Sequence, residues 1–455
     1  MSLSNLPREI ILEIADHLHN AGASTLARTN SQLYDLLNSY LYRRDVFYSY
    51  LSLQWGVHNA VEATVRHAVA AGRYLYPLPN CFHIALGYAA YLGHVPLVEL
   101  LLEVQDINPN YSLHYPPLVN AAKEGHAAIV ELLLAVVNIN PNIKDELSAS
   151  PLQWACKIGH VSIVKQLLAR DDVDLNALAF SGSETPLIAA CRHNDPEIVN
   201  LLLAKDGIDI NLYNTNRVTP LMKAAKHGSV RVVESLLARN DLDLNIVSSR
   251  GHHILEYSVF RGCIEIVKLL LDCPEIDPNF PTTSGRTALM RACQVNRPDI
   301  MKLLLGKEGI DINRQDNSGH TALCMAANFG LKGAESVKIL LDRADINPNL
   351  RDNRGRTALH LACRKNHLSA VELLLMQNGI EPNARNNFGR TPLASACLSG
   401  HTDIVHSLLS HLDTDPNPVD NTGFSILAQV VNNVTPRHGG EIEFLLRDAG
   451  AEEEL

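Results

Sequence analysis

The stretch Thr219-Pro220-Leu221-Met222-Lys223-Ala224-Ala225-Lys226-His227-Gly228 decides how this chain folds, because it comes back. It returns as Thr391-Pro392-Leu393-Ala394-Ser395-Ala396-Cys397-Leu398-Ser399-Gly400 and as Thr357-Ala358-Leu359-His360-Leu361-Ala362-Cys363. Its first residue falls at 84, 116, 150, 185, 219, 253, 287, 321, 357, 391 and 425, and most intervals are 34. A fixed period of this length signals an array of identical supersecondary units, and it overrides the domain count that length alone suggests. Each copy continues with a second apolar pattern, as in Ile198-Val199-Asn200-Leu201-Leu202-Leu203 or Ile266-Val267-Lys268-Leu269-Leu270-Leu271, whose spacing makes one helical face. A loop such as Asp209-Ile210-Asn211 or Asp311-Ile312-Asn313 follows, often with a turn such as Asp352-Asn353-Arg354-Gly355. Each unit therefore reads helix, turn, helix, extended finger, and the fold class is all-α. A single helix pair of this size cannot bury both faces and must stack on its neighbours. Threonine in the first slot caps the helix and proline in the next fits its first turn. Alanine in the sixth and seventh slots lets the two helices approach closely.

The pattern resembles the ankyrin repeat, and the resemblance covers roughly residues 80–451 in eleven tandem copies. It implies a solenoid whose inner surface binds other proteins. Some copies depart from the pattern. The sixth starts His253-Ile254-Leu255-Glu256-Tyr257-Ser258, a weaker helix start, and the eighth has two extra residues near Gly330-Leu331-Lys332-Gly333. Only His360 keeps the family's fourth-slot histidine, which puts that slot's usual hydrogen bond in question in the other ten copies. The last copy carries the insert Asn432-Asn433-Val434-Thr435-Pro436-Arg437-His438-Gly439-Gly440 and reads as a degenerate cap. Upstream, Ala60-Val61-Glu62-Ala63-Thr64-Val65-Arg66-His67-Ala68-Val69 has the second-helix pattern without a first, so residues 47–79 are expected to hold a linker and a capping half-repeat, or an ordinary linker helix.

The first residues are of another kind. Leu6-Pro7-Arg8-Glu9-Ile10-Ile11-Leu12-Glu13-Ile14-Ala15-Asp16-His17-Leu18 puts proline at a helix start and gathers Ile10, Ile11, Ile14 and Leu18 on one face. Two more short apolar stretches follow, from Ser24 to Thr29 and from Gln32 to Tyr42, which makes residues 1–46 a small three-helix module. This stretch resembles the F-box, and together with the repeats it is similar to F-box/ankyrin proteins common in filamentous fungi. The resemblance implies that Leu6, Pro7, Ile10, Ile11 and Ile14 meet the Skp-type adaptor of cullin–RING ubiquitin ligases. The late tryptophan common in F-boxes is absent, with Tyr40 and Tyr42 in its neighbourhood.

Composition narrows the function. A net charge of -10 and a pI near 6.0 argue against a general nucleic-acid grip, which needs a basic surface to displace counterions. The start lacks a signal-peptide pattern, and no apolar run reaches membrane-spanning length. A soluble protein of the cytoplasm or nucleus is expected, with no nucleic-acid or membrane partner. Nine cysteines are spread without any C-x-x-C pair, and five of them (Cys156, Cys191, Cys293, Cys363, Cys397) share one repeat slot. Copies of one slot lie about 8 to 10 Å apart, too far for a disulfide, so reduced thiols are expected.

No nucleophile with its base, no phosphate loop and no spaced metal ligands appear, so neither an enzyme nor a cofactor is expected. His94, His126, His160 and His401 recur after an inter-helix glycine and mark a turn position. In ankyrin proteins the residue after the alanine pair and the residue before the threonine face the binding surface. The first slot carries Lys123, Lys157, Arg192 and Lys226 in four consecutive repeats, and the second carries Arg286, His320, Arg356 and Arg390. These eight are the candidate target-binding residues, either as solvated charge or as a basic groove for an acidic or phosphorylated segment. Asn176, Asn211, Asn245 and Asn313 resemble sites of ankyrin asparaginyl hydroxylation, and they equally suit a role in bracing the finger turn. Two functions follow: a substrate receptor that links a target to a ubiquitin ligase, or a scaffold or inhibitor whose N-terminal helices only cap the array.

Overall fold

A computed structural model describes Ile10, Ile11, Ile14 and residues 53–72, 81–111, 116–329, 333–433 and 439–452. Among these residues every regular element is a helix, and the only β-type pairings are isolated bridges, Ala179 with Glu184 and Val419 with Ser425. The chain forms two compact units, Met1–Thr215 and Asn216–Leu455.

The first unit holds repeats one to four. Their first helices, Cys81–Leu92, Pro117–Glu124, Pro151–Ile158 and Pro186–Ala190, pack each on the next. Their second helices, Val95–Leu102, Ala127–Leu134, Val161–Leu168 and Glu197–Leu203, do the same in a second layer. Upstream the structure has two helical segments where one is expected. Residues 53–58 lie beside the first helix of repeat one, where His58 Nδ1 meets the Tyr88 hydroxyl at 2.9 Å, and Glu62–Gly72 packs on its second helix. Residues 53–72 thus match both layers of the repeat that follows.

The second unit holds repeats five to eleven. Its first helices run Pro220–His227, Ile254–Arg261, Ala288–Gln294, Ala322–Asn328, Ala358–Arg364, Pro392–Ser399 and Ile426–Asn433, again each against the next. Residues 330–332 of the longer loop in repeat eight lie outside the described residues, as do 434–438 of the insert in repeat eleven.

The sequence explains these elements slot by slot. Hydroxyls of Thr185, Thr219, Thr321 and Thr391 accept the backbone N–H three residues on, at 3.1 to 3.3 Å, which satisfies one of the helix's orphan donors. His253 cannot, and its side chain makes no cap bond. The alanine pair is buried in every regular copy, as at Ala224 and Ala225. A larger side chain there would push adjacent helices apart, because interiors pack without spare volume. The five same-slot cysteines are buried, and all nine cysteines are free thiols. Burial pushes the thiols of Cys156 and Cys363 far up, so they act as small apolar fillers.

The fingers form a hydrogen-bonded ladder in the second unit. Asn353 donates from Nδ2 to the Asn317 carbonyl at 2.9 Å, Asn387 to that of Asn353 at 3.0 Å, and Asn421 to that of Asn387 at 2.9 Å. Gly319 must be glycine for this: its φ is +78°, and a Cβ there would sit 2.7 Å from the Asn353 backbone nitrogen.

Candidate functional site

The fingers decide what the predicted cations are free to do. Five residues before the helix-capping threonine stands an acidic or amide residue whose Oδ1 closes the turn. Asp316 accepts from the backbone of Ser318 and His320, and Asp352 from that of Arg354 and Arg356. The second carboxylate oxygen remains, and the pre-threonine basic side chains gather at these turn acids. Arg286 Nε lies 3.4 Å from Asp316 Oδ2, and Arg390 Nε lies 3.5 Å from Asp420 Oδ2. His320 stands between Asp316 and Asp352 at 3.5 Å from each. Arg356 grips Asp352 Oδ2 through Nε at 2.8 Å and Nη2 at 2.7 Å. Burial works to raise the Asp352 pKa, but the bond from Arg356 and two backbone N–H donors prevail and hold it below the usual carboxylate range. Arg286, His320, Arg356 and Arg390, expected as target contacts, therefore serve first as internal partners of buried finger aspartates.

The helical stripe divides in a similar way. In the first unit, Lys157 is half-buried, with Nζ 3.5 Å from the Phe180 ring centre, 5.4 Å from that of Trp154 and 3.3 Å from Glu184 Oε2. Arg192 reaches the other Glu184 oxygen at 3.8 Å, and Lys123 lies over Trp154 at 4.9 Å. Trp154 is itself anchored, its Nε1 donating to Asp145 Oδ2 at 2.7 Å. Glu184 is only 7% exposed, so Lys157 and Arg192 neutralise a buried carboxylate. In the second unit, Lys226 is exposed and makes no ion pair among the described residues.

Lys226 lines a groove of about 420 Å³ across repeats five to seven, with Asn216, Val218, Ser248, Ser249, Arg250, His252, Glu256, Tyr257, Phe260 and Arg291. Its floor is a buried carboxylate, Glu256, held by His252 Nδ1 at 2.6 Å and faced by Arg291 Nε at 3.5 Å. Its rim carries Phe260, 55% exposed although it has Arg291 stacked over its ring at 5.3 Å. Arg250 is exposed at the finger tip, with no acceptor for its guanidinium among the described residues. Two uncommitted cations and an exposed aromatic ring in one groove suit an acidic segment with an apolar or aromatic anchor. Neither Arg250 nor Phe260 stands out in the sequence by charge periodicity, although Phe260 occupies the slot after the buried pair.

Three of the four periodic histidines brace neighbouring repeats. Nε2 atoms of His126, His160 and His401 donate to the carbonyls of Tyr91, Lys123 and Arg364 at 3.0, 3.2 and 3.2 Å. His193 and His367, which no glycine precedes, brace in the same way, through Nε2 to the Lys157 carbonyl and through Nδ1 to the Ala327 carbonyl, each at 2.9 Å. Two of the asparagines, Asn176 and Asn313, brace too. Asn176 donates to the Gly207 carbonyl at 2.7 Å and accepts from Asp209 N at 2.9 Å, and Asn313 bridges Asp345 and Asn347 in the same manner. His360 accepts from Thr357 N at 3.2 Å and meets the Arg390 carbonyl at 3.0 Å, while burial brings its pKa down to about 4. Gln153 reproduces this box in repeat three, accepting from Ser150 N at 2.8 Å and donating to the Glu184 carbonyl, the counterpart of Arg390, at 3.3 Å, as well as to Ala177 O at 2.7 Å. The slot thus keeps its bond in one copy without histidine.

Of the expected adaptor contacts, Leu6 and Pro7 lie outside the described residues. Ile10, Ile11 and Ile14 are helical, with Ile10 43% exposed, Ile14 half-buried and Ile11 buried. Among the described residues no helix is long and apolar enough to cross a membrane, and no group of three or more His, Cys, Asp or Glu could hold a metal ion. A family model described as ankyrin repeats, in three copies, matches residues 57–145, 118–214, 207–282, 289–386 and 323–420. No curated protein matches the chain.

Proposed function

The chain belongs to the ankyrin-repeat family, and from that premise we propose that it is a substrate receptor, holding a protein target on its repeats and presenting it to a cullin–RING ubiquitin ligase through the N-terminal module. The observation that carries the target-binding half is the groove of repeats five to seven, where Lys226 and Arg250 are uncommitted and Phe260 is exposed. An acidic segment would gain both encounter rate and register from these cations. The ligase half is supported by the Leu6-Pro7-Arg8-Glu9-Ile10-Ile11-Leu12-Glu13-Ile14 stretch and its resemblance to the F-box.

One experiment tests each half. Full-length chain is expected to co-precipitate the Skp-type adaptor, and Leu6→Ala with Pro7→Ala to abolish this at equal expression. Adaptor capture unchanged by the double variant, or absent from wild type, ends the ligase reading. For the groove, cross-linking of proteins to wild type and to a Lys226→Glu/Arg250→Glu variant is expected to show salt-sensitive partners lost only in the variant. Identical partner sets would refute it. A second reading, a scaffold or inhibitor whose N-terminal helices serve as a cap, is favoured by the burial of Ile11, one of the five residues expected to face the adaptor.

A further inference from the structure

Lys226 and Phe260 hold the same place in successive repeats, each one residue before the end of its first helix, Pro220–His227 and Ile254–Arg261. These helices pack on each other, so the two exposed side chains leave the helical wall of one groove about 8 to 10 Å apart. The other wall comes from the finger of repeat six, through Ser249 and Arg250. It is tied to the finger before it, where Ser249 N donates to the Asn216 carbonyl at 2.9 Å. Cations thus enter the groove from both walls, and an exposed ring stands one helix spacing along.

The charges in this groove do not cancel. Glu256 is the only acid among its described lining residues, and it is buried, held by His252 Nδ1 at 2.6 Å and faced by Arg291 Nε at 3.5 Å. Arg291 offsets it, which leaves Lys226 and Arg250 as two cations without a counter-charge among the described residues. The spacing limits how a bound segment can supply that charge. In an extended chain, side chains two positions apart share a face and stand about 7 Å from each other, while the one between points away. A segment with one side chain at Lys226 and another two positions off at Phe260 therefore has a single side chain to meet both cations. A carboxylate brings one charge, whereas a phosphomonoester brings close to two, with three acceptor oxygens.

We propose that the groove reads a phosphorylated serine or threonine that has an aromatic residue two positions away. The phosphoryl group lies between Lys226 and Arg250, whose guanidinium fork suits it, and the aromatic side chain lies on Phe260, a ring that Arg291 backs at 5.3 Å. This rests on the reading that the groove holds a partner segment, and it names the chemistry of that segment.

The probe is a fluorescently labelled Gly-Ser peptide with a central phosphothreonine and a phenylalanine two positions to either side, titrated into full-length chain at low and physiological salt. Wild type is expected to bind it in a salt-sensitive manner. Binding should weaken roughly tenfold when glutamate replaces the phosphothreonine, and again when both phenylalanines move to the adjacent positions. Lys226→Gln and Phe260→Ala should each cost roughly tenfold, and Phe260→Ala should also erase the advantage of the two-position spacing. Phe260→Leu, which keeps an apolar side chain and loses the ring, keeps the test valid if the alanine variant folds poorly. Equal binding of the phosphorylated and glutamate peptides, of the two spacings, or by wild type and variants would each overturn the proposal, as would equal competition by inorganic phosphate or by a short single-stranded RNA. Salt-sensitive partners in the cross-linking assay without any advantage for the phosphorylated peptide would leave the acidic-segment reading standing and remove only the phosphoryl assignment.

Discussion

Asp352 is the residue whose removal separates a structural finger cation from a target-binding one. Its side chain is buried, its Oδ1 accepts from Arg354 N and Arg356 N at 2.9 Å, and its Oδ2 takes both contacts from Arg356. Asp352→Ala leaves two backbone donors without acceptors and strands a guanidinium whose side chain is only 14% exposed. Each orphaned donor costs about 1 to 3 kcal/mol, and breaking a buried pair costs about 3 to 5 kcal/mol. These terms overlap at one site, so about 4 kcal/mol in total is expected. Asp352→Asn is the informative control, because Asn386 occupies the same slot in repeat ten and closes its turn with Oδ1 at 2.9 and 3.1 Å from Phe388 N and Arg390 N. That variant keeps the turn, loses the ion pair, and should cost about half as much.

Repeat arrays unfold by local terms and neighbour coupling, so hydrogen exchange is the right assay. The N–H groups of Arg354, Arg356 and Asn387 should exchange fastest in the alanine variant, less so in the asparagine variant. The pH dependence has a definite sign. The folded pKa of Asp352 is depressed, so its contribution is complete above the unfolded value near 3.9 and disappears as pH falls through the lower folded value. The gap between wild type and Asp352→Asn should therefore close only in strong acid. Equal protection in the two variants, or finger exchange unchanged by Asp352→Ala, would show that Arg356 is not held this way.

Three further outcomes follow from the same structure. Ala224→Arg puts a charge where the native side chain is fully buried, and should destabilise by several kcal/mol, with exchange rising around repeat five; unchanged exchange there would contradict the repeat register. His360 is buried with a pKa near 4, so acidification from about pH 6.5 to 4 should weaken repeat nine by about 2 to 3 kcal/mol, and His360→Gln, patterned on Gln153, should remove that pH dependence as read by urea unfolding. Lys157→Glu should cost about 2 kcal/mol by facing Glu184 with a like charge, whereas Lys226→Glu should leave thermal stability nearly unchanged; equal melting of the two variants would mean that Lys157 is not held by the Trp154–Phe180–Glu184 cluster.

The repeat was legible because period, helix spacing and cap chemistry agree in nearly every copy. Thr219, Pro220 and the pair Ala224-Ala225 each predict a local structure, and each takes it. Legibility faltered where a residue's role depends on a partner outside its own unit. Gln153 looks unlike histidine, but it accepts from its own cap N–H and donates to the Glu184 carbonyl, the counterpart of Arg390, which a residue-by-residue comparison with the family pattern hides. The segment at 53–58 was missed because it lacks the T-P-L start, and its helix is recognisable only by the repeat-one helix it lies beside.

The cations show what charge periodicity alone leaves out. A lysine or arginine in a recurring slot looks free when only its own repeat is considered, yet the finger of the next repeat decides where a pre-threonine side chain goes. Where that next finger offers an aspartate, the cation goes there, as Arg286 does to Asp316, His320 to Asp352 and Arg390 to Asp420. The next finger after Arg356 offers the neutral Asn386, and Arg356 turns back to the Asp352 of its own finger. His252 is followed by Thr282 in that position and pairs with Glu256 instead. Reading the pre-threonine slot of one repeat together with the turn acid of the next accounts for these pairings from the sequence. It leaves Lys226, Arg250, Arg354 and Arg364 outside every pairing the fingers impose.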